Sequence, residues 1–380
     1  MTSPAVALDR LRRYVEAREF RGYDPFDALN SPLLKGLSRR SKYLRIAFIQ
    51  GLKRSPVNVR PLLGVKKGLN PKGLGLFLWG YARLHAAGDP DALDRVRSLL
   101  DLLDGLKSRG YSGNGWGYDF DWQNRAFYLP RFTPTIVNSA FIGHALLDAY
   151  ERTRLDRALE MAVPIAPFIL KDIPRTADGS SFCFSYTPLD STRVHNANLL
   201  GASLLMRLAK VTGDSSLRDA ALSSLAFSLK RQNEDGSWPY GDTAMQSWID
   251  SFHTGFNLQS LHYFLAEGEG GDCRRAFERG LAYYEDRFFL ADGMPKYYHD
   301  RTYPVDIHSA AQALVCFSLF KPKDEGLPGR VLAWMIEHLR SPQGYFYYQK
   351  GRRLTNRIPY MRWSQAWAFH GLTSWVERHA

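Results

Sequence analysis

The sequence predicts an all-α fold, an (α/α)6 toroid of inner and outer helices with short hairpin loops at its mouth. Two observations lead to this class. The dipeptide Asp-Gly begins at Asp178, Asp235 and Asp292, which are 57 residues apart each time, and aromatic residues follow each copy. Segments that are apolar on every helical face alternate with amphipathic segments. A fixed period of this size is typical of a repeated supersecondary unit, and a helix that is apolar all round is buried.

The two kinds of segment divide the chain into six helical pairs. The nearly uncharged segments are predicted as inner helices, at 69–86, 136–150, 195–211, 252–265, 307–320 and 363–376. The amphipathic segments are predicted as outer helices, at 33–52, 91–106, 155–170, 216–229, 273–288 and 329–339. Residues 1–32 are predicted as an N-terminal extension, so that residues 33–380 form a single toroid domain.

The starts of the inner helices carry a second regularity. Asn138, Asn196, His253, His308 and Trp363 follow one another at intervals of 58, 57, 55 and 55 residues, and a small residue comes after each. Because the inner helices of a toroid all begin at one end, these side chains are predicted to converge on one cavity. The positive ends of the helices favour negative charge there.

The positive charge of the chain is concentrated in one segment. The net charge is +12, and residues 28–88 contain 12 Lys and Arg but no Asp or Glu. Within that segment, residues 33–67 combine basic and apolar side chains, and this pattern has two interpretations. A basic amphipathic helix lies on an anionic membrane surface, or it is an outer helix whose basic face is solvated. No recognised nucleic-acid module accompanies the charge, so no nucleic-acid partner is predicted.

Other features of the composition bear on location and cofactors. We see no apolar run of about 18 residues, no apolar core of a signal peptide near Met1, and three cysteines that fit neither a metal-ligand pattern nor an even set of disulfides. The sequence therefore predicts a cytoplasmic protein without a metal or cofactor. Contact with the inner face of the membrane belongs to the first interpretation of residues 33–67.

Candidate acids and bases lie at the starts of the inner helices and in the mouth loops. Histidine is the natural proton carrier near neutral pH, and a pair of carboxylates such as Asp119 and Asp121 suits general acid and base catalysis. An aspartate that precedes a helix, such as Asp250, has helix capping as its alternative role. The catalytic candidates are His253, His308, Asp119, Asp121, Asp250, Tyr118 and Tyr298.

Candidate binding residues are aromatic, amide and arginine side chains of the same segments. Large rings with a polar edge suit sugar faces or hydrocarbon chains, and arginine suits a carboxylate, phosphate or sulfate. For any single aromatic the alternative is a core position that closes the end of the barrel. The substrate-binding candidates are Trp116, Trp122, Arg125, Asn138, Asn196, Trp238, Tyr240, Trp363 and Arg362.

Several blocks of the chain resemble a known family. They are Gly113 to Arg125 (GNGWGYDFDWQNR), Thr133 to Asp148, Ser185 to Leu200 (SYTPLDSTRVHNANLL), Trp248 to Leu261 (WIDSFHTGFNLQSL) and Pro359 to Trp367 (PYMRWSQAW). From about Tyr23 to the C-terminus the sequence resembles VpsJ-like bacterial polysaccharide-biosynthesis proteins. That resemblance implies synthesis or modification of an exported glycan. The toroid also resembles that of uronate-processing enzymes such as glucuronyl C5-epimerases, unsaturated glucuronyl hydrolases and some lyases.

The resemblance and the aromatic mouth together predict a carbohydrate-active protein. Its partner would be an acidic, uronate-containing saccharide or a lipid-linked glycan, modified by epimerisation, elimination or hydrolysis, with Arg125 and Arg362 as carboxylate clamps.

Two alternatives come from other classes of protein. One is an isoprenoid cyclase or transferase, because residues 232–238 match the QxxxGxW repeat of terpene cyclases. However, residues 119–122 lack the final acid of the Asp-x-Asp-Asp motif of those cyclases, and the QxxxGxW match has a structural explanation, a glycine turn with an aromatic at a helix end. The other is a non-catalytic, glycan-binding component of an export machinery.

Overall fold

The structure is a computed structural model that describes residues 3–379. In chain order its α-helices are α1 (Pro4–Glu16), α2 (Pro32–Ser38), α3 (Lys42–Arg54), α4 (Pro71–Ala86), α5 (Ala92–Gly105), α6 (Ile136–Thr153), α7 (Asp156–Ala162), α8 (Ile165–Pro167), α9 (His195–Thr212), α10 (Ser215–Leu229), α11 (Ser251–Ala266), α12 (Asp272–Phe288), α13 (Ile307–Phe320), α14 (Gly326–Leu339) and α15 (Trp367–Arg378). Short 3-10 turns lie at Asp27–Asn30 and Ala244–Gln246, and π-helical turns at Phe168–Asp172 and Met361–Ala366. Of the helices within residues 3–379, none has the length and apolarity needed to cross a membrane.

The few strands are short and antiparallel. They are β1 (Trp122–Gln123), β2 (Tyr128–Leu129), β3 (Arg175–Asp178), β4 (Ser181–Phe184), β5 (Val305–Asp306), β6 (Gln349–Lys350) and β7 (Thr355–Asn356). β1 pairs with β2, β3 pairs with β4, and β6 lies between β5 and β7. These hairpins belong to the loops that enter the inner helices.

The inner helices form a closed ring, as the sequence predicts. In order around the ring α4, α6, α9, α11, α13 and α15 each contact the next, and α15 contacts α4. Every residue of α4 from Pro71 to Leu84 is buried, in agreement with its apolar surface on all faces. The last inner helix begins with the π-helical turn at Met361–Ala366, a geometry that is frequent at functional sites.

The glycines of the three Asp-Gly dipeptides, together with Gly344 after Gln343, form tight turns, and the last three of these four turns touch the outer ring. Gly179, Gly236, Gly293 and Gly344 all have positive φ, between +61° and +95°, which glycine adopts without steric cost. A Cβ on Gly236 would lie 2.4 Å from the carbonyl oxygen of Arg279 in α12, and the corresponding neighbours of Gly293 and Gly344 are Arg330 in α14 and Arg10 in α1. Three successive turns therefore contact α12, α14 and α1 in the same way.

The sixth outer position belongs to α1, and the prediction that residues 33–52 occupy it is wrong. The buried face of α1 is Ala7, Leu8, Leu11 and Val15, a helical stripe. This face packs against α15 and α14, and Tyr81 of α4 donates a hydrogen bond to Glu16 at 2.6 Å. Within α1 the pattern is amphipathic, as in the other outer helices.

Residues 23–69 instead form a cap over the mouth of the toroid. In this cap α2 and α3 pack on each other and on the 3-10 turn at Asp27–Asn30. A separate small core of Ala28, Leu29, Leu34, Ile49 and Leu52 holds them together. α3 also contacts β1, so the cap lies against the mouth loops.

Three ion pairs fix the cap, and two of them are buried. Arg60, which is fully buried, donates from Nε to Asp27 at 2.6 Å and from Nη2 to the carbonyl oxygen of Asp24 at 3.0 Å. Arg362 of the last inner helix donates to both carboxylate oxygens of Asp24, at 2.6 and 2.8 Å. Lys35 pairs with Asp121 of the mouth loop at 2.5 Å. The cap is thus tied both to itself and to the toroid.

Replacement of Arg60 by Met tests the role of this pairing. The Arg60→Met variant leaves Asp27 buried without its partner, so we expect the free energy of unfolding to fall by about 3–5 kcal/mol. Guanidinium denaturation followed by circular dichroism measures this loss, and limited proteolysis shows whether the cap opens first. Arg54, which is exposed, provides the control variant Arg54→Met, expected within about 0.5 kcal/mol of wild type. Equal stability of the two variants would contradict the assignment.

Candidate functional site

The first turns of the inner helices surround the axis at one end of the ring. Side chains that precede these helices accept hydrogen bonds from backbone N–H groups of the first turn, which lack partners within the helix. Thr135 accepts from Asn138 at 3.0 Å, Asp250 from His253 at 3.0 Å and Asp306 from His308 at 2.9 Å. These N-cap bonds use only the backbone N–H groups of Asn138, His253 and His308, so the side chains of these residues can make other contacts.

His253 and Asp250 form a hydrogen-bonded pair. The Asp250 Oδ2 atom lies 2.7 Å from Nδ1 of His253 and accepts a bond from the indole N–H of Trp248 at 3.1 Å. In the neutral imidazole, a carboxylate at this distance favours the proton on Nδ1, which leaves the lone pair on Nε2. The His253 side chain is 23% exposed, whereas that of Asp250 is 1% exposed. The pair therefore has the geometry of a base that is oriented by a buried acid.

Aromatic rings surround the exposed edge of His253. The Tyr240 ring lies 4.6 Å from the imidazole and stacks on Trp248, with ring centroids 4.5 Å apart and planes at 14°. Tyr298 pairs through its backbone with Asp250. Burial raises the pKa of the Tyr298 hydroxyl, and the nearby charge of Asp250 raises it further. That hydroxyl therefore keeps its proton at neutral pH.

His308 lies deeper in the ring than His253. Its imidazole stacks between Phe252 and Trp367, with ring centroids 4.3 and 4.1 Å away. Neither ring nitrogen has a hydrogen-bond partner within the described chain, and burial lowers the pKa of this histidine well below its ordinary value. The Phe252 ring also contacts His253, at 4.4 Å. Phe252 therefore touches both of the predicted histidines.

Asp306 acts on Trp363 as well as on its own helix. It accepts the indole N–H of Trp363 at 3.0 and 3.2 Å and an amide N–H of Gln349 at 2.7 Å. Burial raises the pKa of Asp306 to about 6. The Lys53 amine of the cap lies 5.8 Å from the Trp363 ring centroid. Trp363, predicted as a binding residue, thus lies under the cap.

Asp119 and Asp121 have separate partners. Asp119 accepts a hydrogen bond from the Asn70 amide at 2.7 Å, and burial together with the charge of Asp24 raises its pKa to about 7. Asp121 pairs with Lys35 and accepts the backbone N–H of Arg131 at 2.8 Å. Asp119 also borders a surface pocket of about 480 Å³. Its other charged lining residues are Arg21, Lys66, Lys67 and Arg131.

Two predicted tryptophans lie in the walls of the toroid. Trp116 is fully buried and donates its indole N–H to the carbonyl oxygen of Leu103 at 2.8 Å. Trp238 is 2% exposed and donates to the carbonyl oxygen of Ser228 at 2.9 Å. In the QxxxGxW segment Gln232 donates to the carbonyl oxygens of Gly236 and Ala276, both at 2.9 Å. This segment therefore joins a turn to neighbouring helices, in agreement with its structural interpretation.

The remaining predicted residues are divided between the axis and the rim. The Tyr118 hydroxyl lies 3.1 Å from that of Tyr186, and burial raises the pKa of Tyr118. Trp122 is half-buried against Phe26 and Tyr186. Both amide atoms of the Asn138 side chain and the Oδ1 atom of Asn196 are buried without partners among residues 3–379. Arg362 is engaged by Asp24, whereas Arg125 is exposed on the hairpin of β1 and β2.

Sequence analysis missed one residue of the axis. Lys72 lies two residues after Asn70, the N-cap residue of α4, as His308 lies two residues after Asp306, the N-cap residue of α13. It therefore occupies the sixth of the equivalent positions that begin with Asn138. The signal was present in the sequence as a helix start with Asn-Pro-Lys, in accordance with the preference of Asn for the N-cap and of Pro for the first turn.

Solved structures share this fold at low sequence identity. The family 76 glycoside hydrolase, an α-mannanase, from Bacteroides thetaiotaomicron is 15% identical, with a TM-score of 0.63 over 80% of this chain and 86% of that chain. Cellobiose 2-epimerase from Bacillus thermoamylovorans is 13% identical, with a TM-score of 0.64 over 83% of this chain and 90% of that chain. A polysaccharide lyase is 8% identical, with a TM-score of 0.55 over 82% and 90%.

These likenesses define the fold class. The chain has an α/α-toroid fold, which confirms the predicted (α/α)6 class. No protein-family model matches the chain, and no curated protein does. At identities of 8–15% the likeness concerns the fold alone.

The raised pKa of Asp119 gives a test by pH. Because the folded pKa of about 7 exceeds the ordinary value of 3.8, the folded state binds this proton more tightly than the unfolded state. The associated stability is present below pH 4 and is lost as the pH rises through about 7. Asp119→Asn mimics the protonated acid, so its stability advantage over wild type should grow by about 2–4 kcal/mol between pH 4.5 and pH 8. Parallel denaturation curves at the two pH values measure it, and an advantage that does not change with pH would refute the assignment.

Proposed function

We propose that this protein is a carbohydrate-active enzyme of bacterial polysaccharide biosynthesis. In this proposal it modifies an acidic, uronate-containing glycan by moving a proton at the mouth of the toroid. The observation that carries the proposal is the His253–Asp250 pair, an oriented base whose Nε2 has no hydrogen-bond partner among residues 3–379 and lies at an aromatic, partly open edge.

The chemistry assigned to His253 is removal of a proton from carbon. Nε2 of the imidazole would accept the proton at C5 of a uronate, where the adjacent carboxylate stabilises the developing negative charge. Asp250 holds the imidazole in the required tautomer and stabilises the imidazolium that forms. Return of a proton to the opposite face of the carbon gives epimerisation, whereas loss of the substituent at C4 gives elimination. Tyr298, which keeps its hydroxyl proton, is the proposed proton donor.

The saccharide part of the proposal has three supports. The stacked rings of Tyr240 and Trp248 beside His253 offer flat faces with polar edges. The proteins with the same fold include a mannanase, a sugar epimerase and a polysaccharide lyase. The sequence resemblance to VpsJ-like proteins supports the context of an exported glycan.

The geometry favours proton transfer over the other mechanisms considered. Hydrolysis by two carboxylates needs a pair of acids that flank one bond, and Asp119 and Asp121 have separate protein partners. An isoprenoid cyclase would require an aromatic cavity with few charges at its bottom, whereas Lys72 and Arg362 lie at the axis. A purely glycan-binding role requires neither the orientation of His253 by Asp250 nor its free Nε2.

A solvent-exchange assay tests the proposed chemistry. Uronate-containing glycans in deuterated water should exchange the hydrogen at C5, measured by NMR, while an absorbance rise from unsaturated uronate distinguishes elimination from epimerisation. His253→Ala should lower the exchange rate about 100- to 10,000-fold, and Asp250→Asn should lower it as well because the imidazole loses its orientation. His338 on the outer helix α14 supplies the control His338→Ala, with an unchanged rate. Exchange that persists in His253→Ala would overturn the proposal.

We also propose peripheral contact with an anionic membrane through residues 33–67 of the cap. Six large apolar side chains of this segment are exposed, namely Leu33, Leu37, Tyr43, Leu44, Val57 and Leu62, with exposed fractions from 43% to 88%. Basic residues that include Arg39, Arg40 and Lys42 are exposed beside them. Exposed apolar groups with basic neighbours are the combination that binds anionic lipid surfaces. A lipid-linked glycan would then reach the mouth directly from the membrane.

Vesicle co-sedimentation tests the membrane contact. The protein should bind phosphatidylcholine vesicles that contain phosphatidylglycerol and should bind those without it weakly, with binding that falls as salt is added. The double variant Leu37→Asp, Leu62→Asp should reduce binding about tenfold or more, since each substitution removes apolar area from the interface. Val211, which is exposed at the far end of α9, supplies the control Val211→Asp. If the double variant and the control bind alike, the membrane face is wrongly placed.

A further inference from the structure

Lys72 lies on the axis of the toroid, in the first turn of α4. Its Nζ atom is 4.1 Å from the ring centroid of Phe141, 5.3 Å from that of Phe256 and 5.4 Å from that of Trp367. The Phe141 ring belongs to α6 and the Trp367 ring to α15, the two neighbours of α4 in the ring. The Phe256 ring belongs to α11, which lies across the ring from α4. An amine in contact with all three must lie near the centre.

The Lys72 amine is unusual because no acid or hydrogen-bond acceptor of the described chain contacts it. The residue is 4% exposed, and within residues 3–379 no hydrogen bond or ion pair to its Nζ atom is present. Lysine is rarely buried to this degree unless it is paired, since an unpaired charge loses its hydration without compensation. The rings supply cation–π contacts, but they supply no acceptor for the three N–H donors.

Other buried polar groups at the starts of the inner helices also lack partners. Both amide atoms of Asn138, the Oδ1 atom of Asn196 and both ring nitrogens of His308 make no hydrogen bond to the described residues. The great majority of buried polar groups in proteins are hydrogen-bonded. Several unpartnered groups around one axis therefore indicate a site for a polar ligand.

The charges around the axis favour an anion. The N-termini of six inner helices carry partial positive charge. The nearby guanidinium of Arg362 is already occupied by the two oxygens of Asp24. Of the predicted clamps, Arg125 lies at the exposed rim and Arg362 is neutralised by Asp24. Lys72, on the axis itself, has no ion pair within residues 3–379.

We propose that Lys72 binds the carboxylate of the ligand on the toroid axis, with Asn138 and His308 as the neighbouring hydrogen-bonding groups. This inference rests on the proposed function, because it names the residue that selects an acidic sugar. The site adjoins the proposed base, since Phe252 contacts both His253 and His308. His308 of the proposed site and His253 thus both contact a single aromatic ring.

The lowered pKa of the Lys72 amine predicts that ligand binding is linked to proton uptake. Burial lowers the pKa of Lys72 well below its ordinary value, the charge of Arg362 lowers it further, and Asp24 opposes this effect. His308 is the other titratable group that senses Lys72. A carboxylate that enters the site favours the charged amine, so binding of the anion should take up a proton.

Isothermal titration calorimetry with monosaccharides tests the site. D-glucuronate and D-galacturonate should bind the wild type more tightly than D-glucose does, and the apparent enthalpy should differ between phosphate and Tris buffers because a proton is taken up. Lys72→Met, which keeps the length of the side chain, should weaken uronate binding about 10- to 100-fold and abolish the buffer dependence. Binding of D-glucose should not change, which also shows that the variant is folded.

Controls separate this inference from the proposed function. Lys210, which pairs with Glu267 on the surface, supplies Lys210→Met, expected to bind uronate as the wild type does. His253→Ala should lose C5 exchange but retain uronate binding. If the wild type binds uronate without C5 exchange, the proposed chemistry is refuted and the Lys72 site stands. Equal uronate affinity of Lys72→Met and wild type would overturn the inference. It would also be overturned if inorganic phosphate bound the site as tightly as uronate does, because the site would then bind anions in general.

Discussion

All six inner helices begin at the same end of the ring, and the chemistry of the mouth depends on this constraint. The N–H groups of their first turns need acceptors in a place that is largely shielded from water. Asn70, Thr135, Asp250 and Asp306 supply them from the loops. The same aspartates then act on a second partner, the imidazole of His253 in one case and the indole of Trp363 in the other. Capping and the arrangement of functional groups are therefore a single feature of this fold.

The repeat made the toroid predictable, because each Asp-Gly turn needs positive φ and each inner helix needs an apolar surface. Sequence alone could not place residues 33–52, since an amphipathic pattern shows that a face is buried but not what buries it. The helices α2 and α3 bury theirs in a small core around Leu29. The apolar stripe of Leu8, Leu11 and Val15 in α1 has helical spacing that can be recognised in the sequence. It lies before residue 33, where the first of the six predicted helical pairs begins.

The site was predictable only where local spacing determined it. His253 and Asp250 are three residues apart on one helix start, so their pairing follows from capping geometry. Asp24 and Arg362 are 338 residues apart, and no local pattern relates them. Because Asp24 occupies its guanidinium, Arg362 does not serve as the carboxylate clamp that the sequence predicted. Lys72 was overlooked because the insertion of the β1–β2 hairpin lengthens the interval to Asn138 and breaks the regular spacing.

The position of α1 has a consequence for how the protein is made. This helix precedes every inner helix in the chain, yet its apolar face packs on α14 and α15, which follow α13. Until those helices are in place, the ring is an open arc with uncovered apolar edges. Contacts between segments so distant in sequence form slowly, and exposed edges of this kind invite aggregation during synthesis. Closure of the ring therefore depends on contacts between distant segments, and we expect it to be a late step of folding.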